Sequence, residues 1–439
     1  MGVHERLLAR HREVLPSWLA LYYAEPIALV DGDGRYVEDG EGNRYLDFFG
    51  GILTTMSGYK IPEVVDAIKA QADRMLHTST LYLIESQIEL AERIAALSGI
   101  PDAKVFFTNS GTEANDAALM MSTQYRRSNQ VLAMRNSYHG RSHSAVAITG
   151  NRSWSATQLG PFHTVYVHGG YPYRSPFGHL PDGEYIAACR EDLQDLLRVA
   201  VAGDVACLIA EPIQGVGGFA TPPDGLYGAL KEVLDEEGIL FVCDEVQTGW
   251  GRTGEHFWGY EAHGITPDLV TFAKGLGNGL AIAGVVGRGD IIDSVPANSI
   301  STFGGNPLST AGALANLDYV LDHDLQTNAY KVGQQLKDGL LDLAEETPQI
   351  GDVRGKGLML GVEFIRPGTK EPDGATTSRV MEEAKAGGLL IGKGGLFGNV
   401  LRLAPPMSLT SAEAVEGLEL LGAAMQRATQ SGNRPEGHE

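Results

Sequence analysis

Between residues 104 and 286, short apolar runs alternate with stretches whose apolar residues recur every three or four positions, and nothing else in the chain constrains its fold as much. The runs lie at 104–108, 130–134, 164–167, 205–210, 240–244, 269–272 and 283–286. Their length suits strands, and the period between them suits helices. Strands that alternate with helices predict a largely parallel sheet with helices on both faces. The expected fold class is therefore α/β, built on a mostly parallel seven-stranded sheet. Ligands in such sheets bind beyond the carboxyl ends of the strands.

The flanks read differently. A charged helix over 3–14 precedes apolar runs at 27–30 and 44–48. Asp31-Gly32-Asp33-Gly34 and the stretch 38–43 lie between those runs, which predicts antiparallel strands joined by glycine turns. Helical periodicity appears at 62–75 and 86–97. Beyond Thr302, helices at 308–321 and 327–347 lead to short strands around 357–364, 389–392 and 400–403, then to a last helix from Ser411. The expected organisation has four parts. Residues 1–60 begin a small α+β domain, 61–301 form the large domain, 302–430 complete the small domain, and 431–439 are a flexible polar tail.

Composition narrows the function. A chain of 439 residues exceeds one small core, and 43% hydrophobic with 20% charged residues describes an ordinary soluble globular protein. The formal charge is −21 and no Lys/Arg-rich run offsets it, which argues against nucleic acid and anionic membranes as partners. Cys189, Cys207 and Cys243 form no Cys-x-x-Cys pair and are expected as free thiols in a reducing, cytoplasmic setting. The first residues lack the continuous apolar core of a secretory signal, and no stretch approaches a membrane span.

Two of the apolar runs end in groups that a core does not tolerate unpaired. Leu240-Phe241-Val242-Cys243 runs into Asp244, and Leu269-Val270-Thr271-Phe272-Ala273 runs into Lys274. An acid and an amine at one sheet edge suit a cofactor with a basic ring nitrogen and a reactive aldehyde. Pyridoxal phosphate has both, and its usual partners are a Schiff-base lysine and an acid on the pyridinium nitrogen. Ser110-Gly111-Thr112 follows a strand and opens a helix, where unpaired N–H groups, hydroxyls and the positive dipole end form a phosphate cup. Tyr138 follows another strand and can stack on a flat ring. His139 beside it either modulates the ring or packs structurally. Glu211 closes the run 205–210, and Pro212 fixes it at the strand tip. Arg402 lies inside the apolar run Val400-Leu401-Arg402-Leu403, where it serves a substrate carboxylate or an internal ion pair. The histidines show no zinc spacing, and the Gly-Lys-Gly stretches at 355–357 and 392–394 complete no nucleotide-binding motif.

These motifs resemble class III aminotransferases, pyridoxal-phosphate enzymes of fold type I. The carriers are Asn109-Ser110-Gly111-Thr112-Glu113-Ala114-Asn115, Tyr138-His139-Gly140, Glu211-Pro212-Ile213-Gln214-Gly215, Asp244-Glu245-Val246-Gln247-Thr248-Gly249, Ala273-Lys274-Gly275 and Thr302-Phe303-Gly304-Gly305-Asn306-Pro307. Gln247-Thr248-Gly249-Trp250-Gly251-Arg252-Thr253-Gly254, with His77-Thr78-Ser79-Thr80, is similar to the alanine–glyoxylate aminotransferase 2 type. The resemblance implies that Lys274 holds the cofactor and shuttles a proton, and that Asp244 pairs with the ring nitrogen. It sets Val246 and Tyr138 on the two ring faces and Gln247 at the ring hydroxyl. Ser110, Gly111 and Thr112 would bind phosphate, with Thr302 from the second subunit of a homodimer, which could pair into a tetramer. Arg402 would receive the substrate α-carboxylate, with Glu211 as its movable acidic partner. Trp250 and Ala281 stand where relatives often carry Phe and Pro, which bears on substrate shape. The implied activity is amino transfer from an amino acid to a 2-oxo acid such as glyoxylate or pyruvate. The alternatives are a decarboxylase or aminomutase on the same scaffold, and a silent ligand-binding homologue.

Overall fold

The structure is a computed structural model that describes residues 2–431 except Gln158 and Ala202. Three strands come first, β1 (Leu29–Asp33), β2 (Tyr36–Asp39) and β3 (Arg44–Asp47). Seven follow: β4 (Ala103–Thr108), β5 (Gln130–Met134), β6 (His163–Val167), β7 (Cys207–Ala210), β8 (Leu240–Asp244), β9 (Leu269–Phe272) and β10 (Ala283–Arg288). The last five are β11 (Ile350–Lys356), β12 (Met359–Phe364), β13 (Leu389–Leu390), β14 (Gly392–Gly394) and β15 (Val400–Leu403).

Strands β4 to β10 make one seven-stranded sheet in the order β4-β10-β9-β8-β7-β5-β6. Neighbours from β6 to β9 pair in parallel, while β10 opposes both β9 and β4. The three central strands β7, β8 and β9 are buried throughout, as a sheet covered on both faces requires. Their alternation divides the core. Leu208, Phe241 and Val270 join one buried cluster, whereas Cys207, Val242 and Leu269 join another. Losing a buried ring such as Phe241 would cost about 3–5 kcal/mol. This anchorage gives the sheet a rigid carboxyl edge, where Asp244 and Lys274 emerge.

Two four-stranded sheets lie beside it. One has the order β1-β2-β3-β13 and the other β11-β12-β15-β14. Leu389 pairs in parallel with Leu46, so residues from both ends of the sequence share the first of these. The structure corrects the reading of the flanks. β2 occupies part of the stretch 38–43 taken as a turn, because Tyr36 and Val37 pair across to β3. The expected strand at 389–392 is two strands in different sheets, β13 and β14, and the chain changes sheet at Ile391. β11 and the helix Gly374–Ala386 were not foreseen. The flexible tail expected over 431–439 lies, past Ser431, outside the described residues. Among the described residues, no helix is long and apolar enough to cross a membrane.

Candidate active site

β8 and β9 are neighbours in parallel register, with Asp244 opposite Thr271. Lys274 therefore leaves β9 at the same edge at which Asp244 ends β8. Its backbone has φ of 44° at the start of the short turn Lys274–Gly277. A non-glycine residue held there costs about 1–3 kcal/mol, and such strain persists where the surroundings over-determine the position. The result aims the amine into a cavity of about 140 Å³ whose lining also includes Gly111, Tyr138, Glu211, Asp244 and Gln247.

Asp244 is held from three sides. Its Oδ2 accepts from Asn115 Nδ2 at 2.8 Å and from His139 Nδ1 at 2.8 Å, while Oδ1 accepts from the Val246 amide at 3.1 Å. Asn115 is itself oriented, since its Oδ1 accepts from Thr271 Oγ1 at 2.7 Å and its Nδ2 also donates to the His139 carbonyl. A carboxylate with this many donors is fixed in position. His139 thus bonds Asp244, a contact that neither sequence reading of His139 named.

Lys274 is the converse. Among the described residues its amine has no hydrogen bond or ion pair, and burial lowers its pKa to about 8. The negative charges of Asp244 and Glu211 push that value back up, and Arg402 pushes it down. A buried lysine with a lowered pKa is a nucleophile at mildly alkaline pH. Glu211 lines the same cavity. Its Oε1 accepts from the Tyr138 amide at 2.9 Å and its Oε2 from the Gly215 amide at 2.8 Å. Burial outweighs these bonds and raises its pKa to about 7.

The phosphate cup is the start of the helix Gly111–Arg126. A Cβ on Gly111 would stand 3.0 Å from Val246 Cγ1, so glycine lets the helix start lie against Val246. Gly140 has φ of 131°, and a Cβ there would fall 2.3 Å from Thr112 Oγ1. That close approach lets the Thr112 hydroxyl accept from the Arg141 and Ser142 amides at 3.1 and 3.0 Å, tying their loop to the cup. Ser110 serves as the helix cap, its Oγ accepting from the Glu113 amide, and does not line the cavity. Thr302 is exposed and does not line it either. Asn115 and Arg141 do, and they went unassigned in the sequence although both lie within or beside quoted motifs.

Arg402 is buried in the middle of β15. Its Nε donates to the Lys393 carbonyl at 3.1 Å, Nη1 to the Gly215 carbonyl at 3.3 Å and Nη2 to Tyr22 Oη at 2.8 Å. The rings of Phe49 and Phe219 lie 5.1 and 5.6 Å from its Cζ. Among the described residues no carboxylate forms an ion pair with it, so the internal-pair reading fails. The expected pairing of Arg402 with Glu211 is likewise absent, because two backbone amides occupy Glu211. Trp250 packs against Trp258, with ring centroids 4.6 Å apart, and does not line the cavity, so the family difference there falls in the core.

The donor set fits pyridoxal phosphate. The helix start offers N–H groups to a phosphate, Asp244 offers a fixed anion, and Lys274 an amine without a partner. Gln247 Oε1 is buried without a partner, an acceptor suited to a ring hydroxyl.

Known proteins match the chain over nearly its whole length. A family model described as aminotransferase class-III matches residues 22–425. The alanine–glyoxylate aminotransferase 2 homolog 2, mitochondrial, of Arabidopsis thaliana is 42% identical over 93% of this chain and 84% of its own length. An alanine/serine racemase of Pyrococcus horikoshii is 34% identical over 96% of this chain and 90% of its own. An amine transaminase from an uncultivated Pseudomonas species, solved in its PLP-bound form, superposes with a TM-score of 0.87 at 31% identity, covering 94% of this chain and 99% of that one.

Proposed function

The chain belongs to the class III aminotransferase family, pyridoxal-phosphate enzymes that transfer amino groups, and from that premise we propose that it takes the amino group of an amino acid and passes it to a 2-oxo acid, with glyoxylate or pyruvate as acceptor, in a ping-pong sequence. Bound in the site, pyridoxal phosphate supplies an aldehyde for the amine and a protonated ring that takes up the electron pair left at Cα. The observation that carries this reading is the half-buried amine of Lys274, without a hydrogen bond or ion pair among the described residues, beside the fixed carboxylate of Asp244.

Lys274 Nζ would hold the cofactor through its aldehyde. Its amine, when not engaged with the cofactor, would be the base positioned to take the proton from the substrate Cα. Asp244 would hold a proton at the ring nitrogen, and Asn115 and His139 keep Asp244 in place. Val246 and Tyr138 would cover the ring faces, and Gln247 would receive the ring hydroxyl. The amides of Gly111 and Thr112 hold the phosphate, with Ser110 shaping the helix start. Arg402 takes the substrate carboxylate by a charge-assisted fork.

A second copy completes the phosphate site with its Thr302. Support comes from exposed Phe303, next to Thr302, with the Phe303 ring 4.9 Å from that of His77. Residues 1–60 and 302–430 act as one small domain, a reading that the pairing of β13 with β3 supports. The buried free thiols support a reducing, cytoplasmic location.

A second reading draws on the racemase relative: delivery of a proton to the opposite face of the substrate Cα would invert the amino acid. A panel of amino donors with glyoxylate, pyruvate and 2-oxoglutarate separates the readings. Equal amounts of a new oxo acid and a new amino acid are expected. Enantiomer exchange, carbon dioxide release or a shifted amino group without any oxo acid would overturn amino transfer as the main activity.

A further inference from the structure

Apart from the catalytic site, the structure holds a cavity of about 850 Å³ that shares no lining residue with it. The cavity lies past the ends of β5 and β6, walled by Arg135, Arg152, Tyr166, His168, Tyr171 and Arg174. No aspartate or glutamate lines it among the described residues, in a chain whose formal charge is −21. Arg174 is neutralised by Glu363. Arg135 and Arg152 are not: among the described residues their guanidinium groups form no hydrogen bond, ion pair or ring contact. Burial first, and then the charge of Arg135, lower the His168 pKa, against the opposing charge of Asp192. Positive groups left unpaired in a concave wall focus an attractive field for anions. Guanidinium forks match phosphoryl and carboxylate oxygens two at a time.

We propose that this cavity binds a small organic or inorganic polyanion, with Arg135 and Arg152 each gripping one anionic group and the Tyr166 and His168 rings bordering its body. The site stands in close reach of the catalytic loop. Asn136, in its wall, accepts at Oδ1 from Asn151 Nδ2 at 3.1 Å, and the Asn151 amide donates to the Ser137 carbonyl at 3.0 Å. Tyr138 and His139 follow directly in the chain, so occupancy has a short covalent path to them.

The test is calorimetric titration of the holoenzyme, whose own phosphate site is filled, with pyrophosphate, citrate and acetate at constant ionic strength. Pyrophosphate or citrate should bind at about one site per chain, with acetate at least tenfold weaker because it offers one group for two forks. Binding of pyrophosphate alone assigns phosphoryl ligands, and binding of citrate alone assigns polycarboxylates. The double variant R135Q/R152Q should weaken the bound probe at least about tenfold, with turnover in the absence of probe unchanged. If the double variant does not fold, R135Q and R152Q separately give the same reading at smaller size. Failure of both polyanions to bind wild type, or equal binding to the variants, would overturn the site.

Discussion

Arg354 and Arg402 flank Gly361 in neighbouring strands of one small sheet, yet their surroundings differ in kind. Both are buried, and both reach the same turn. Arg354 Nε donates to the Gly218 carbonyl at 3.0 Å, and Arg402 Nη1 to the Gly215 carbonyl at 3.3 Å. From there Arg354 goes on to two acids, its Nη1 lying 2.6 Å from Asp352 Oδ2 and 2.7 Å from Glu363 Oε2. Arg402 finds carbonyls, a tyrosine hydroxyl and two aromatic faces. Burying a guanidinium costs several kcal/mol, and carboxylate partners offset that cost. At Arg354 the fold supplies the partners. At Arg402 it leaves the place open, and an incoming carboxylate is the group that suits it. The difference separates an arginine whose acids the fold supplies from one left without a carboxylate, on positions that look alike as strand arginines.

The contrast breaks most visibly at the structural member. Arg354→Gln should lower stability by about 3–5 kcal/mol, because Glu363 stays buried with part of its pairing gone. Urea unfolding measures this, and KM of the folded fraction should hardly move. Arg402→Gln should do the reverse. It should raise KM for amino acids about 10–100-fold, the loss of a charge-assisted bond of roughly 1.5–3 kcal/mol, with little change in the unfolding midpoint. An amine donor without a carboxylate should show no such penalty. Equal behaviour of the two variants would erase the distinction.

A smaller effect comes from the acid that does not pair with Arg402. Its negative charge helps to hold the Lys274 pKa at about 8 against burial. In cofactor-free protein, labelling of Lys274 by an amine reagent should therefore rise as pH passes through about 8. Glu211→Gln should move that midpoint lower. The gap should close below about pH 7, where Glu211 itself becomes neutral. Mass spectrometry of the Lys274 peptide follows both changes.

The catalytic half was easier to read in the sequence than the arginine pair. β8, β9 and β15 are continuous apolar runs with sharp ends, so their limits were legible to the residue. Asp244 and Lys274 stood out because a charge at the end of such a run demands a use. β11 was not legible, since Gly351 and Gly355 and its charged residues dilute the strand pattern. β2 was lost for its shortness and acidity. The role of Asn115 depends on Thr271 and Asp244, distant in sequence and adjacent only across the sheet. The partners of Arg402 were illegible for the same reason. An apolar run shows that Arg402 is buried but not which groups it meets, whereas Arg354 has one acid, Asp352, on its own strand and the other, Glu363, on the next.

The most direct measurement is borohydride reduction of the holoenzyme, followed by peptide mapping. The account predicts the mass of the reduced cofactor on the peptide that carries Lys274, in near-stoichiometric yield. Cofactor mass on another lysine, or a fully loaded enzyme with none on Lys274, would contradict it.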